Sequence, residues 1–334
     1  MAKLALTEAK KLTKEYYNVF QGAYNDFRVN SMTEYKFELE PLSCESFLES
    51  VDSGLIDCYI LLEDNIPTGF LAYTTAISDA LELNIIHCMG SENLNQKRKI
   101  LLSKFLEENK ELTDKMVVTY PMMGSQRDFV PYLTHFGFKL VNIAVVRFNF
   151  SNIGSVEILK NVSRKVKVEG YEFKPWEDKY LDTAANLIHD TFKDTADALF
   201  DPRFKTREGS LDVLSKIVSG FYGEFLPDAV RLAFCGSELC GICLVNITTG
   251  TIANIPLFGL AKAHRGKGLS KYLLATTVGN IYKCIQKGKY NLSEVNASVE
   301  TDNSPAVKMY RAIGFKEDYS YPQSYLPVTK DNQA

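Results

Sequence analysis

The chain has 334 residues, 46% of them hydrophobic, and a formal net charge of −3. That length suits two domains of ordinary size, while the near-neutral balance gives no global attraction to nucleic acid or to an anionic membrane. No apolar run approaches the ~18 residues needed to span a bilayer, and seven irregularly spaced cysteines behind a start without a signal-peptide core point to a reducing cytoplasm.

In chain order, residues 59–73 read as a strand, a polar turn and a second strand opening at Gly69. A strand over 84–89 then enters Gly90-Ser-Glu-Asn-Leu-Asn-Gln-Lys-Arg-Lys99, which has no glycine pair and places Glu92 where it would repel an anion. Residues 151–170 are polar and predict a linker, with Val162, Val166 and Val168 able to make part of it an edge strand. Its Arg164, Lys165 and Lys167 are read as a solvated face. Beyond it, 171–176 predicts a strand, 179–194 and 211–222 predict helices, and 230–234, 241–248 and 252–260 predict strands. Residues 231–245 repeat the layout of 59–73, with Gly241 at the interval of Gly69, and Ala312-Ile-Gly-Phe315 parallels His135-Phe-Gly-Phe138. The chain is therefore a weak internal repeat.

The most informative segment is Arg265-Gly-Lys-Gly-Leu-Ser270, between the apolar run 251–261 and a helix whose buried stripe is Leu274, Val278, Ile281 and Ile285. Two glycines let the backbone approach a ligand, and the following helix offers unpaired N–H groups and the positive end of its dipole, so the segment reads either as a pyrophosphate cradle or as a plain strand-to-helix connection. The spacing fits neither a P-loop nor a dinucleotide fingerprint, since Lys271 stands where a third glycine would be. Lys262, Arg265, Lys267 and Lys271 give a local positive field, and His264 either touches phosphate or is a loop-surface histidine. Downstream, 291–300 predicts a strand, Ser304 an N-cap with Pro305 at the first helical position, and Gly314 the end of a short helix whose apolar face holds Ala306, Met309, Tyr310 and Ile313. Alternating Tyr319, Tyr321 and Tyr325 predict one more strand or a hairpin.

Together these segments resemble the GNAT superfamily of acyl-CoA-dependent N-acyltransferases. Arg265-Gly-Lys-Gly-Leu-Ser270 is similar to its R/Q-x-x-G-x-G/A loop, with Ser270 in the last small position, and Asn303, Ala306, Tyr310 and Gly314-Phe315 match its N-x-x-A-x-x-x-Y-x-x-x-G-F segment. The resemblance implies an α+β protein of two tandem GNAT folds, each a mixed, mostly antiparallel sheet flanked by helices. Residues 1–155 would form a degenerate, non-catalytic unit and 168–334 the acetyltransferase. Counting back from Gly137, Leu133 takes the place of Tyr310, and Tyr132 is one residue out of register. The first half then either contributes to the acceptor pocket or interface, or is a diverged duplicate kept for stability.

The resemblance further implies acetyl-CoA as acyl donor, held by Arg265, Gly266, Lys267, Gly268, Leu269, Ser270, Lys271 and Asn303. A strand bulge at Phe258, Gly259 and Leu260 would expose a backbone N–H to the thioester oxygen, although Gly259 reads equally as a turn onset. Tyr310 is the expected general acid, since a phenol with a pKa of about 10 stays protonated at neutral pH and can donate to a leaving thiolate. Glu300 is the nearest acidic candidate for the base, against a plain strand-end carboxylate, ordered water or an amine that arrives neutral. Cys240 and Cys243 fall on opposite faces of a strand, so no metal is expected. The expected activity is N-acetylation of a primary amine of a small molecule by direct attack in a ternary complex, by a cytoplasmic monomer or homodimer without nucleic-acid or membrane partners. The alternatives are a silent acyl-CoA-binding regulatory module, acylation of a peptide or protein amine, and a transferase that uses charged tRNA.

Overall fold

Alternating apolar strands and amphipathic helices divide into two units in the computed structural model, which describes residues 6–35, 43–75, 80–122, 126–165 and 168–328. The elements in chain order begin with β1 (Thr7–Lys11), α1 (Tyr17–Tyr35), α2 (Cys44–Asp52), β2 (Asp57–Glu63), β3 (Ile66–Thr74) and β4 (Ala80–Cys88). α3 (Leu94–Glu108), α4 (Lys110–Thr113), β5 (Val117–Tyr120), α5 (Val130–His135), β6 (Lys139–Asn149) and α6 (Ile153–Lys165) follow. Next come β7 (Glu172–Lys174), α7 (Leu181–Phe192), α8 (Asp197–Phe200), α9 (Arg207–Val218), β8 (Glu224–Phe225), β9 (Arg231–Cys235), β10 (Glu238–Cys243) and β11 (Asn246–Thr249). The chain closes with β12 (Ile252–Asn254), β13 (Phe258–Leu260), α10 (Leu269–Gln286), β14 (Glu294–Glu300), α11 (Ser304–Ala312) and β15 (Lys316–Leu326).

The first unit comprises Met1–Val141, Leu199–Asp201 and Tyr321–Ala334. β1 to β4 form an antiparallel meander, β5 joins β4 in parallel, and the end of β15 pairs antiparallel with β5 from Ser324 to Leu326. The β2–β3 hairpin turns through Asp64 and Asn65 at φ 49° and 66°, the left-handed pair that a two-residue turn requires. Gly69 marks a close approach, because a Cβ there would lie 2.9 Å from the His87 carbonyl oxygen. α3 covers one sheet face, burying Leu101, Leu102 and Phe105 with Tyr59, Leu71 and Leu81; α1 and α2 cover the other with Phe20, Tyr24 and Phe47 against Phe70.

The second unit comprises Asn142–Ala198 and Pro202–Ser320. Its strands fall into two groups: β6, β14, β12, β11 and β8 in one order, and β13, β10, β9 and β7 in the other. α10 packs its apolar stripe, Leu273, Leu274, Val278 and Ile281, into a core shared with both groups. α7 and α9 bury Ala184, Ile188, Val213 and Leu214 against Leu232, Ile242 and Leu244.

Residues 151–170 do not form a linker over their described length. α6 occupies 153–165, because Val156 and Leu159 recur at helical spacing and pack into the core of the second unit. Val166 and Lys167 lie outside the described residues, and Val168 packs against that core without entering a strand. The division between units consequently falls at Val141/Asn142 and not between 155 and 168: β6 pairs with β14 from Ile143 to Asn149, which commits that stretch to the second unit. The tyrosine-rich tail is one strand, and its residues from Tyr321 belong to the first unit.

Candidate active site

The site begins with a break in a strand. Residues 252–260 do not run as one strand: β12 pairs in parallel with β14 up to Asn254 opposite Asn296, the Ile255 N–H still reaches the Asn296 carbonyl, and then the chain leaves β14. Pro256 has no N–H to continue the ladder, and from Leu257 the chain pairs antiparallel with β10 instead. The kink is therefore at 255–257 and not at Gly259. By antiparallel alternation Leu257, Gly259 and Ala261 turn their backbone groups toward β10, as the Leu244-to-Leu257 and Ala261-to-Cys240 bonds require, so Phe258 and Leu260 turn their amides away from it. Gly259 is instead a packing glycine, where an added Cβ would press to 3.2 Å from Ile188 Cδ1.

The loop after β13 is fixed from below. The Arg265 Nε donates to the Leu260 carbonyl at 3.1 Å. His264 is buried, not on the loop surface and not on the cavity wall; it shares a 2.9 Å hydrogen bond through Nδ1 with the Tyr171 hydroxyl and holds its other nitrogen 3.5 Å from Glu238. Gly266 and Gly268 sit at φ 76° and 78°, with nothing within 4 Å of where a Cβ would stand. That empty space is what a diphosphate needs to come against the backbone. Gly268 is the N-cap of α10 and supplies no side-chain cap, so the first amides of the helix stay available to an anion.

These parts meet in one cavity of about 520 Å³ within the second unit. Phe258, Leu260, Arg265, Gly266, Ser270 and Asn303 line it, together with Pro305, Ala306 and Met309 of α11. Thr191, Phe192, Thr195 and Asp197, from the end of α7 to the start of α8, complete the wall. Lys267 and Gly268 are exposed beside it, Lys271 is half-buried, and the Leu269 side chain is in the core, so Leu269 can offer a ligand only its amide. Asn303, not Ser304, caps α11, its Oδ1 accepting from the Ala306 N–H at 3.2 Å; Ser304 and Pro305 are the first helical residues. Gly314, at φ 104°, follows the helix as its sequence position predicts.

The two expected catalytic residues are not on the wall. Tyr310 is 4% exposed, with its ring edge-on to Phe315 at 5.1 Å between centroids. Burial, and then the nearby Cys243 thiol, push its phenol pKa well up. Glu300 is half-buried at the end of β14, and burial raises its carboxyl pKa, with Asp197 and Asp302 adding to the rise. Asp197 does line the cavity and is accessible there, while burial by the protein behind it raises its pKa too. Nothing local in the sequence marks Asp197, which lies 103 positions before Glu300 in a polar stretch with no periodicity. Cys240 and Cys243 are buried free thiols, raised by desolvation to about 11 and about 12, and among the described residues no His, Cys, Asp and Glu group could hold a metal.

The first unit has a matching strand-to-helix junction with different residues at it. Gly90 and Asn93 take φ 81° and 55° ahead of α3, so the turn survives without the glycine pair. Over the first turn of α3, however, the protein's own Asp128 carboxylate accepts from Asn95 Nδ2 at 2.9 Å and meets Arg98 at 3.4 Å. Leu133 is buried where the second unit has Tyr310, and Tyr132 is 38% exposed.

No protein-family model matches the sequence, and no curated protein sequence matches it either. Solved structures do match. A GCN5-related N-acetyltransferase from Sphaerobacter thermophilus is 14% identical with a TM-score of 0.62, over 96% of this chain and 95% of that one. A tandem GNAT protein from the clavulanic acid biosynthesis pathway is 12% identical with a TM-score of 0.57, over 98% and 100%. The GCN5-related glucosamine N-acetyltransferase region of a fungal multi-domain GH3 β-N-acetylglucosaminidase is 12% identical with a TM-score of 0.64, over 97% of this chain and 38% of that one. The fold is GNAT-like across nearly the whole chain. Among the described residues no helix is long and apolar enough to cross a membrane.

Proposed function

We propose that the second unit is an acetyl-CoA-dependent N-acetyltransferase, which passes the acetyl group to a primary amine of a small molecule by direct attack within a ternary complex. The observation that carries this reading is one cavity joining the uncapped start of α10 to the two amides that β13 turns away from β10. The diphosphate takes the amides of 268–271 and the positive charge of Arg265. The thioester then lies along β13, where the Phe258 or Leu260 N–H stabilises the oxyanion of the tetrahedral intermediate.

A neutral amine attacks the carbonyl carbon, the C–N bond forms, and the C–S bond breaks with the electron pair leaving on sulfur. Tyr310 is the proposed donor to that thiolate. Burial keeps the phenol protonated, its helix neighbours Ala306 and Met309 line the cavity, and the role requires the bound thioester sulfur to come within hydrogen-bond reach of the hydroxyl. Isothermal calorimetry with acetyl-CoA, followed by thiol-release assays on a panel of small amines, tests the proposal. Binding with thiol release that requires an amine supports it; no heat with acetyl-CoA removes it. The burial of Tyr310 favours a second reading, an acyl-CoA-binding regulatory module, which would give heat but no thiol.

A further inference from the structure

Among the described residues that line the cavity, two carry charge, Arg265 and Asp197. Arg265 is tied to the loop that receives the diphosphate. Asp197 belongs to the wall supplied by α7 and α8, and its one side-chain partner is neutral: the Thr195 hydroxyl donates to Oδ2 at 3.1 Å. Glu300 is close enough to feel its charge. Among the described residues neither carboxylate has a cationic partner within salt-bridge distance. On the same wall the Thr191 Oγ1 is fully buried without a hydrogen-bond partner. Asp197 is exposed to the cavity beside an apolar wall of Phe192, Phe258 and Met309, so its charge has no protein counter-ion there and is open to a cation delivered by a ligand.

We propose that Asp197, supported by Glu300, is the acceptor-side carboxylate of this cavity: it receives the ammonium of a small cationic amine and takes its proton. This rests on the transferase reading and deepens it by naming the acceptor class. The amine arrives as R–NH3⁺ and one proton passes to an Asp197 Oδ. The freed lone pair attacks the acetyl carbonyl, a second proton leaves nitrogen as the thiolate is protonated, and Asp197 returns its proton to solvent. The products are the amide, the free thiol and one proton. A diamine suits the site best, because the negative charge left on Glu300 can attract its second ammonium while Asp197 takes the proton of the nitrogen that reacts. An acceptor whose amine adjoins a carboxylate meets repulsion from the same pair.

The test compares acceptors of similar size, an aliphatic diamine, a monoamine and an amino acid, by thiol release in the full-length protein. Wild type, Asp197→Asn, Glu300→Gln and the control Asp194→Asn are used, with acetyl-CoA affinity measured by calorimetry on each. The diamine is expected to be the best substrate. Asp197→Asn should lower its kcat/KM by about 10- to 100-fold, Glu300→Gln by less, and Asp194→Asn not at all, with acetyl-CoA affinity the same throughout; that affinity also certifies that each variant is folded. Equal use of the amino acid, or full activity in Asp197→Asn, overturns the inference and leaves the transferase intact. Acetyl-CoA binding with no thiol release for any amine overturns the transferase and this inference with it.

Discussion

At the scale of single residues, the cavity depends on backbone that side chains would obstruct. Gly268 holds a left-handed φ as the N-cap of α10, with open space where a Cβ would project. Gly268→Ala therefore meets no clash, but it pays the backbone cost of a left-handed L-residue, about 1–2 kcal/mol. The second unit should melt lower by roughly 2–4 °C per kcal/mol, read by thermal denaturation, and acetyl-CoA should bind more weakly because the methyl group enters the anion's space. Tyr310→Phe keeps the packing against Phe315 and removes only the hydroxyl. If that hydroxyl protonates the departing thiolate, kcat falls by about a hundredfold, the low end for general acid catalysis with a good leaving group, and acetyl-CoA affinity is unchanged. Single-turnover kinetics read the chemical step directly, and wild-type turnover would leave Tyr310 a packing residue.

At the scale of elements, what could be read in the sequence was what is contiguous. The loop 265–270, α10 and the Gly-Phe end of α11 are each specified by neighbours along the chain and stand where their residues predict, and both hairpins form, although their second strands begin at Ile66 and Glu238, three residues before the glycines expected to open them. The partition of 252–260 into two strands with different partners depends on which strand lies alongside, although Pro256 carried the signal that the ladder must break. α6 was hidden in a polar segment whose buried residues, Val156 and Leu159, are few. Asp197 reaches the cavity from a segment far along the chain from the loop and α11, and has no local signature at all. The N-cap of α11 differs by one residue from its expected place because Asn303 and Ser304 are both good caps, and Pro305 fits the first or second helical position equally. Asn303→Ala should accordingly destabilise the unit by about 1 kcal/mol. It should also reduce kcat/KM, since the same residue lines the cavity. Asn303→Ser, which restores a cap, should recover stability more fully than activity in paired denaturation and thiol-release measurements.

At the scale of the whole molecule, two units of one fold hold unequal equipment, and the inequality is physical. In the second unit the strand-to-helix turn has two glycines and an uncapped helix start. In the first, the turn keeps its left-handed residues at Gly90 and Asn93, but Asp128 already brings a carboxylate to the first turn of α3 and is held there by Asn95 and Arg98. A diphosphate approaching that helix would meet a fixed negative charge as well as Glu92, which is exposed on the same turn. Calorimetric titration with acetyl-CoA should therefore give one site per chain. Arg265→Ala should weaken that one site by roughly tenfold, the loss of a charge-assisted contact, with the stoichiometry still one. Asp128→Asn should leave stoichiometry and affinity unchanged, because removing the carboxylate does not restore a glycine pair. A second saturable site in the wild type, surviving in Arg265→Ala, would mean that the first unit binds the donor through contacts other than a glycine loop.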